Sequence, residues 1–139
     1  MEKYILEKDI NTFFVAASSF PSGIKAAHEK LHALLGDTTG RRFFGISSGS
    51  ANGSISYKAA VEAIHPGEAA TLHCETFIIR KGTYISETIK DWKKDESIVA
   101  KTFQQLLSYP GLDQNGYCLE MYPNNEDMIC LVTLANDQQ

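Results

Sequence analysis

Two histidines and a glutamate stand at the spacing of a zinc-hydrolase motif. The segment HEKLH, residues 28–32, matches the pattern H-E-x-x-H. On a helix its two imidazoles would lie one turn apart and could bind zinc, with the glutamate as general base for a bound water. The extended motif fails, because Leu35 and Thr38 stand where glycine and histidine are required. We therefore expect His28 to flank an apolar helix face and His32 to face solvent, and we predict no metal site and no zinc protease.

A second chemically suggestive residue is the one charge in an otherwise apolar and aromatic segment. Glu120 lies in YCLEMY, residues 117–122, and by strand alternation shares a face with Cys118 and Tyr122. In a pocket, desolvation would disfavour the charged carboxylate unless a cation or a hydrogen-bond donor approached it. The alternative on pattern alone is an ordinary exposed strand glutamate. Glu62 is a similar lone acid, and we expect it to point outward.

Aromatic residues make up 10% of the chain. Most belong to the expected core, but Tyr57 and Trp92 combine a ring with a polar handle and have polar neighbours, which favours a pocket position. Phe44 is expected as a further wall. Aromatic walls with a carboxylate are the usual physical means of binding organic cations or flat lipophilic molecules. The sequence therefore predicts a ligand site of Glu120, Tyr57, Trp92 and Phe44.

These side chains must be positioned by strands and helices, which the hydrophobic periodicity predicts. The expected strands are residues 11–17, 42–47, 54–64, 71–80, 117–122 and 128–134. The expected helices are residues 22–35, 85–92 and 97–108, with Ser97 as an N-cap. A turn is expected at Asn52 and Gly53.

The order of these elements is β-α-β-β, twice over. It predicts an α+β fold in which duplicated βαββ units form an antiparallel sheet, with the helices on one face and a central cleft. We expect a single domain of residues 1–139, with half-units of approximately 10–64 and 71–134, because neither half would bury enough apolar surface alone.

Composition narrows the function classes. The chain has 139 residues and a net charge of −4, with no basic run longer than Lys93-Lys94, which argues against nucleic acid or an anionic membrane as partner. No apolar run reaches the roughly 18 residues of a membrane span, and no secretory signal is expected. Cys74, Cys118 and Cys130 lie far apart in apolar segments, which favours reduced thiols in the cytoplasm. Nucleotide-loop and nucleophile-elbow motifs are absent, so no cofactor is expected.

Four stretches of the chain resemble one known family. They are FPSGIKAAHEKLHALLG, RRFFGISSGSANGSISYKAAVEAI, ETFIIRKGTYISETIKDW and YPGLDQNGYCLEMYPNNEDMICLVTL. Together they resemble the GyrI-like small-molecule-binding family, the bacterial transcription-activator effector-binding domain, over roughly residues 10–134. GYCLEMYPNNEDM is the most specific piece. The resemblance implies a duplicated βαββ fold, with Glu120 as the acid of the central pocket and Tyr57 as a pocket aromatic.

The resemblance implies a function in ligand binding. Many family members carry an N-terminal helix-turn-helix, but here the first expected strand begins within about ten residues of Met1. We therefore expect a stand-alone bacterial domain that binds a lipophilic or cationic small molecule and does not contact DNA or a membrane itself. A small hydrolase of reactive small molecules, using Glu120 in the same cleft, is the alternative. Whether the chain is an enzyme, and whether it forms a homodimer or joins a regulatory protein, stays open.

Overall fold

Eight strands and three α-helices account for most of residues 1–49 and 53–135, the part of the chain that the computed structural model describes. In chain order they are β1 (Glu2–Leu6), β2 (Ile10–Ala16), α1 (Ile24–Leu35), β3 (Phe43–Gly49), β4 (Ile55–Glu62), α2 (Glu68–Thr71), β5 (Glu75–Ile79), β6 (Gly82–Ile89), α3 (Ser97–Leu107), β7 (Cys118–Met121) and β8 (Met128–Thr133). A short 3₁₀ turn covers Trp92–Lys94. The predicted α+β class with antiparallel strand pairing is confirmed.

The chain divides into two units. Unit A is Asp9–Ile79, and unit B combines Met1–Lys8 with residues 80–135 of the described part of the chain. In unit A the strand order is β3-β4-β2-β5, and in unit B it is β7-β8-β6-β1. Each unit therefore contains one βαββ repeat, β2-α1-β3-β4 or β6-α3-β7-β8, and one additional strand. The predicted duplication is present, and the second repeat begins at β6.

The additional strands are exchanged between the repeats. β1 directly precedes β2 in the chain but pairs with β6, and β5 directly precedes β6 but pairs with β2. Side chains reinforce both pairings: the Ser86 hydroxyl donates to the Glu2 carbonyl at 2.9 Å, and the Thr12 hydroxyl donates to the Phe77 carbonyl at 2.6 Å. β1 has no counterpart in the sequence prediction.

The core of unit A lies between α1 and one face of β4. Alternate β4 residues point to the helix, as the period-two pattern predicts. The buried members of this cluster are Phe13, Ala27, Leu31, Tyr57, Ala59 and Val61. α1 contributes Ala27 and Leu31 because residues four apart lie on one helical face.

The core of unit B is built in the same way from α3, β6 and β8. Its buried members are Ile85, Ile89, Leu106, Met128, Cys130, Val132 and Leu134. Among the described residues, no helix has the length and apolar character needed to cross a bilayer.

Three local predictions are wrong. Residues 85–92 were expected to be helical, but Gly82–Ile89 is strand β6. Its apolar residues Ile85 and Ile89 are four positions apart, a spacing that places them on one face of a strand as well as on one face of a helix. The expected strand 71–80 is shortened to β5, because Thr71 ends helix α2. Ser97 is the first residue of α3 and not its cap; the carboxylate of Asp95 accepts hydrogen bonds from its N–H at 3.2 Å and from its hydroxyl at 2.6 Å. The predicted turn at Asn52 lies outside the described residues.

Candidate functional site

Glu120 lies on the face of β7 that is turned toward α3 in unit B. The register pairs it with Cys130, which in turn pairs with Glu87, so these three side chains form one row across β7, β8 and β6. Glu120 is partly buried, and its Oε1 accepts a hydrogen bond from the Tyr122 hydroxyl at 2.7 Å. The carboxylate therefore stands beside an aromatic side chain and is not a freely solvated strand residue.

Trp92 extends this aromatic environment. Its ring centroid lies 6.1 Å from that of Tyr122 at an interplanar angle of 44°, and both rings pack against the unit B core. The Nζ of Lys93 lies 5.7 Å from the Trp92 ring centroid. We call Glu120, Tyr122 and Trp92 the acidic aromatic patch. The structure thus brings two of the sequence-predicted site residues into one surface and adds Tyr122, which the sequence indicated only as a neighbour on the same face.

The position of Trp92 is fixed by a hydrogen-bonded turn. The Asp127 carboxylate accepts from the side-chain amide of Asn124 at 3.0 Å, from the Asp91 N–H at 3.2 Å and from the Lys90 ammonium at 3.1 Å. These donors, the Asn124 amide foremost, hold the pKa of Asp127 below its usual range. The backbone N–H of Trp92 donates to the Glu126 carbonyl at 3.2 Å. The chain from Lys90 to Trp92 is therefore tied to the β7–β8 connection.

Cys130 lies under the patch as a neutral thiol. It is fully buried, and burial, followed by the nearby charge of Glu120, strongly raises its pKa. Its thiol donates to the Met128 sulfur at 3.6 Å. A buried thiol held in the protonated form is a poor nucleophile, so Cys130 belongs to the core and not to the chemistry of the patch.

This burial gives a testable difference between the cysteines. We expect iodoacetamide at neutral pH to modify Cys74 and Cys118, which are partly exposed, at least tenfold faster than Cys130. Peptide mass spectrometry over a time course measures the three rates in one sample. In urea the rates should converge; equal rates in the folded protein would contradict the burial of Cys130.

Tyr57 occupies the helix-facing side of β4 in unit A. It is only 2% exposed, and its hydroxyl forms a hydrogen bond of 2.8 Å with Nε2 of His28. Burial, followed by the charge of His32, lowers the pKa of His28 to about 4, so its imidazole is neutral at pH 7. The buried phenol and the partly buried imidazole together form a polar pair at the edge of an apolar core.

The two histidines of HEKLH are each engaged with an aromatic side chain. His28 meets Tyr57, while the ring of His32 stacks on Phe43 with centroids 4.3 Å apart and planes 9° apart. Within residues 1–49 and 53–135, no three His, Cys, Asp or Glu side chains are grouped so that they could hold a metal ion. The helix positions of the motif therefore serve packing against β3 and β4.

Phe44 and Glu62 lie on the other face of the unit A sheet. Phe44 pairs with Ala60, whose side chain points to the opposite face of β4 from that of Tyr57. Phe44 is only 1% exposed. Glu62 accepts from the Arg42 guanidinium at 3.1 and 2.7 Å, an ion pair that lowers its pKa. The structure places Phe44 on the face opposite Tyr57, and its role as a wall of the ligand site stays a prediction.

Phe20 is a candidate that sequence reasoning missed. Its ring centroid lies 6.2 Å from that of Tyr57, and 40% of the residue is exposed. Its place in the sequence, in the turn before α1, gave no indication of this contact, because residues 20 and 57 meet only through tertiary packing.

Comparison with known proteins finds similarity in fold and not in sequence. No family model matches the chain, and no curated protein matches it by sequence. An integron cassette protein from the mobile metagenome of Vibrio cholerae superposes with a TM-score of 0.71 at 11% identity, covering 96% of this chain and 94% of its own. SAV2435, solved bound to tetraphenylphosphonium, superposes with a TM-score of 0.69 at 10% identity, covering 99% and 96%. A protein from Staphylococcus aureus MU50 named for bacterial transcription regulation gives 0.65 at 9% identity, covering 97% and 99%. The chain shares the fold of these proteins over nearly its whole length.

Proposed function

We propose that this protein is a GyrI-like small-molecule-binding domain whose acidic aromatic patch binds a lipophilic organic cation. The observation that carries the proposal is the Glu120 carboxylate, held at 2.7 Å by the Tyr122 hydroxyl beside the Trp92 ring. The shared fold with SAV2435, which was solved with a lipophilic cation bound, supports the same ligand class. The cytoplasm is the expected compartment, with no direct contact to DNA.

The chemistry of the patch suits a cation of low charge density. A partly buried carboxylate attracts positive charge more strongly than an exposed one, since the local dielectric is lower. Aromatic faces add about 0.5–2 kcal/mol for each well-placed cation–π contact. A small, strongly hydrated cation would lose its water shell on such a surface, whereas an aryl phosphonium or ammonium ion has little hydration to lose. The patch therefore favours large organic cations over metal ions.

Removing the charge of Glu120 should weaken cation binding. We expect Glu120→Gln to raise the Kd for tetraphenylphosphonium roughly tenfold to a hundredfold, because the attraction between a carboxylate and a unit positive charge about 6 Å away is about 1.4–2.8 kcal/mol at an effective dielectric constant of about 20–40. Isothermal titration calorimetry measures the change. Glu75→Gln is the matched control, since Glu75 is an exposed strand carboxylate in unit A and its replacement changes the net charge by the same amount.

The outcomes separate binding from catalysis. Equal Kd values for Glu120→Gln and Glu75→Gln would refute the role of Glu120 in recognition. Incubation with strained electrophiles, followed by product analysis, tests the hydrolase alternative. Turnover that is abolished by Glu120→Gln would replace the binding proposal by an enzymatic one. Tyr57→Phe in the same titration tests the expected contribution of Tyr57 separately.

A further inference from the structure

Strand β1 forms an open edge of the sheet in unit B. It pairs with β6 on one side, and no strand within residues 1–49 and 53–135 pairs with its outer side. Ile5 on this strand is 69% exposed. An open strand edge that carries an exposed apolar side chain is a template for pairing with another strand. β1 is therefore a surface to which a further strand can add.

The backbone of β1 turns alternate residues toward this open edge. Ile5 faces Thr83 of β6, and the Thr83 carbonyl accepts from the Leu134 N–H at 3.1 Å, so it points to β8 and away from β1. In an antiparallel ladder such a pair is not hydrogen-bonded to each other, and the N–H and carbonyl of Ile5 therefore point outward. The same alternation turns Lys3 outward. Glu7 directly follows β1 and joins this outward set when the strand extends by one residue.

The charges on the two sides of Ile5 mirror one another with opposite sign. Two residues away stand Lys3 on one side and Glu7 on the other, and three residues away stand Glu2 and Lys8. All four charged side chains are exposed, and none of them forms an ion pair or a side-chain hydrogen bond within the part of the chain that the structure describes. The segment is therefore complementary in charge to a second copy of itself that runs in the opposite direction.

We propose that the outer edge of β1 pairs antiparallel with β1 of a second copy of this chain, with the twofold axis at Ile5. In this register Lys3 faces Glu7 of the second copy, Glu2 faces Lys8, and Ile5 faces its own counterpart. The backbone groups of Lys3, Ile5 and Glu7 all point outward, so the register that the charges favour is also one that the hydrogen bonds permit. A shift by one residue would set outward backbone groups against inward ones and would separate the ion pairs.

The expected dimer is weak but specific in orientation. A strand edge buries less than the roughly 1,200–2,000 Å² of a standard interface, so we expect a Kd of about 10 μM to 1 mM. Parallel pairing is disfavoured, because it would set Lys3 against Lys3 and Glu7 against Glu7. The contact uses no residue of the acidic aromatic patch and is independent of the proposed function.

Charge reversal tests the register, with sedimentation equilibrium of the full chain as the measure of the dimer Kd. Glu7→Lys should weaken the dimer roughly tenfold to a hundredfold. The reason is that each exposed ion pair changes an affinity by about twofold to fivefold, and two attractive pairs become repulsive. Lys3→Glu should weaken it similarly. Glu75→Lys, at an exposed strand carboxylate of unit A, changes the net charge as Glu7→Lys does and should leave the Kd within about twofold.

Two combinations should restore the dimer. The double variant Lys3→Glu with Glu7→Lys regains both ion pairs and should return to within about threefold of the wild-type Kd. An equimolar mixture of the two single variants should form a heterodimer, since the like charges of one variant oppose those of the other. A double variant that does not recover, or a mixture that stays monomeric, would overturn the register. A wild-type dimer that is insensitive to both single variants would lie on another surface and would equally refute the pairing.

A disulfide at residue 5 marks the twofold axis. Facing residues of a hydrogen-bonded antiparallel pair have Cα atoms about 5.5 Å apart, which lies within the range of about 4.4–6.8 Å that a disulfide spans. Under mild oxidation Ile5→Cys should give a dimer cross-linked between the two residues 5, identified by peptide mass spectrometry. Ile78→Cys, at a 52% exposed isoleucine of β5, should not cross-link in this way. Equal cross-linking of both variants, or a wild type that stays monomeric up to about 1 mM, would exclude a second copy on the β1 edge.

Discussion

Replacing Gly116 by alanine should destabilise the protein by about 3 kcal/mol. A Cβ at residue 116 would overlap with Oγ1 of Thr133 and would lie 3.0 Å from the Asp113 carbonyl oxygen, inside van der Waals contact. The demand for glycine here is steric, since Gly116 is not among the glycines with positive φ. Urea unfolding of the two proteins measures the difference in the free energy of unfolding.

The neighbours of Gly116 have little room to yield. The Thr133 carbonyl accepts from the Asp113 N–H at 3.0 Å, and the Asp113 carbonyl accepts from the Gly116 N–H at 3.1 Å, so the loop is tied to β8. Thr133 is buried and pairs with Tyr84 in the sheet. Its Oγ1 has no hydrogen-bond partner within the described part of the chain. Gly116 therefore packs directly against the Thr133 hydroxyl. The methyl group of an alanine at residue 116 would have to displace this hydroxyl.

Two further variants show whether the clash is the cause. Gly49→Ala should leave stability unchanged within about 0.5 kcal/mol, because no atom of the described residues lies within 4 Å of a Cβ at that position. Thr133→Ala removes the clashing oxygen, so Gly116→Ala should destabilise that background by less than it destabilises the wild type. Equal destabilisation in both backgrounds would show that the Thr133 hydroxyl is not what excludes a side chain at residue 116.

The parts of the fold that the sequence predicted are those whose periodicity has a single interpretation. In β4, alternation from Tyr57 to Val61 fits a strand and not a helix, and in α1 the spacing of Ala27 and Leu31 fits a helix. β6 was mistaken for a helix because its apolar residues are four apart, which satisfies both periods. β1 escaped notice because it is held by pairing such as Glu2 with Ser86, and contacts that distant leave no local pattern.

The candidate site shows the same division between local and long-range information. Glu120 stood out as a lone charge in an apolar strand, and its contact with Tyr122, two residues away, follows from strand alternation. The failure of Phe44 as a neighbour of Tyr57 is a matter of register, which a shift of one residue would reverse. The contacts of Tyr57 with His28 and Phe20 join three separate elements, and only the folded structure reveals them.

Acidification should destabilise unit A in two separate pH windows. In the upper window, His28 has a folded pKa of about 4 against 6.5 in an unfolded chain. Between these values the unfolded state binds the proton and the folded state does not, so stability falls as the pH decreases. The full difference corresponds to about 3 kcal/mol. Above pH 6.5 both states are neutral at this residue and its contribution is constant.

The lower window belongs to Glu68. Its carboxylate accepts from the Arg41 guanidinium at 3.0 and 2.7 Å and from the N–H groups of Ile64 and His65 at 2.6 and 3.2 Å. The Arg41 hydrogen bonds foremost lower the pKa of Glu68 to about 2, against 4.5 for the free side chain. The stabilisation is therefore complete above about pH 4.5 and is lost as the pH falls toward 2. Both side chains of the pair are only partly exposed but remain in reach of water, so solvent screening brings the contribution below the roughly 3 kcal/mol that the full pKa difference would give.

Single variants should remove one window each, because the two groups act through different contacts. His28→Gln cannot take up a proton, so its stability should stay level between pH 6.5 and 4.5 and then fall with the wild type. Glu68→Gln should already be less stable at pH 7, since it leaves Arg41 without its charged partner, and should lose less below pH 4.5. Urea midpoints collected from pH 8 to pH 2.5 define the three curves. A wild-type curve that is flat from pH 6.5 to 4.5 would contradict the burial of a neutral His28, because a solvated imidazole would take up its proton equally in both states.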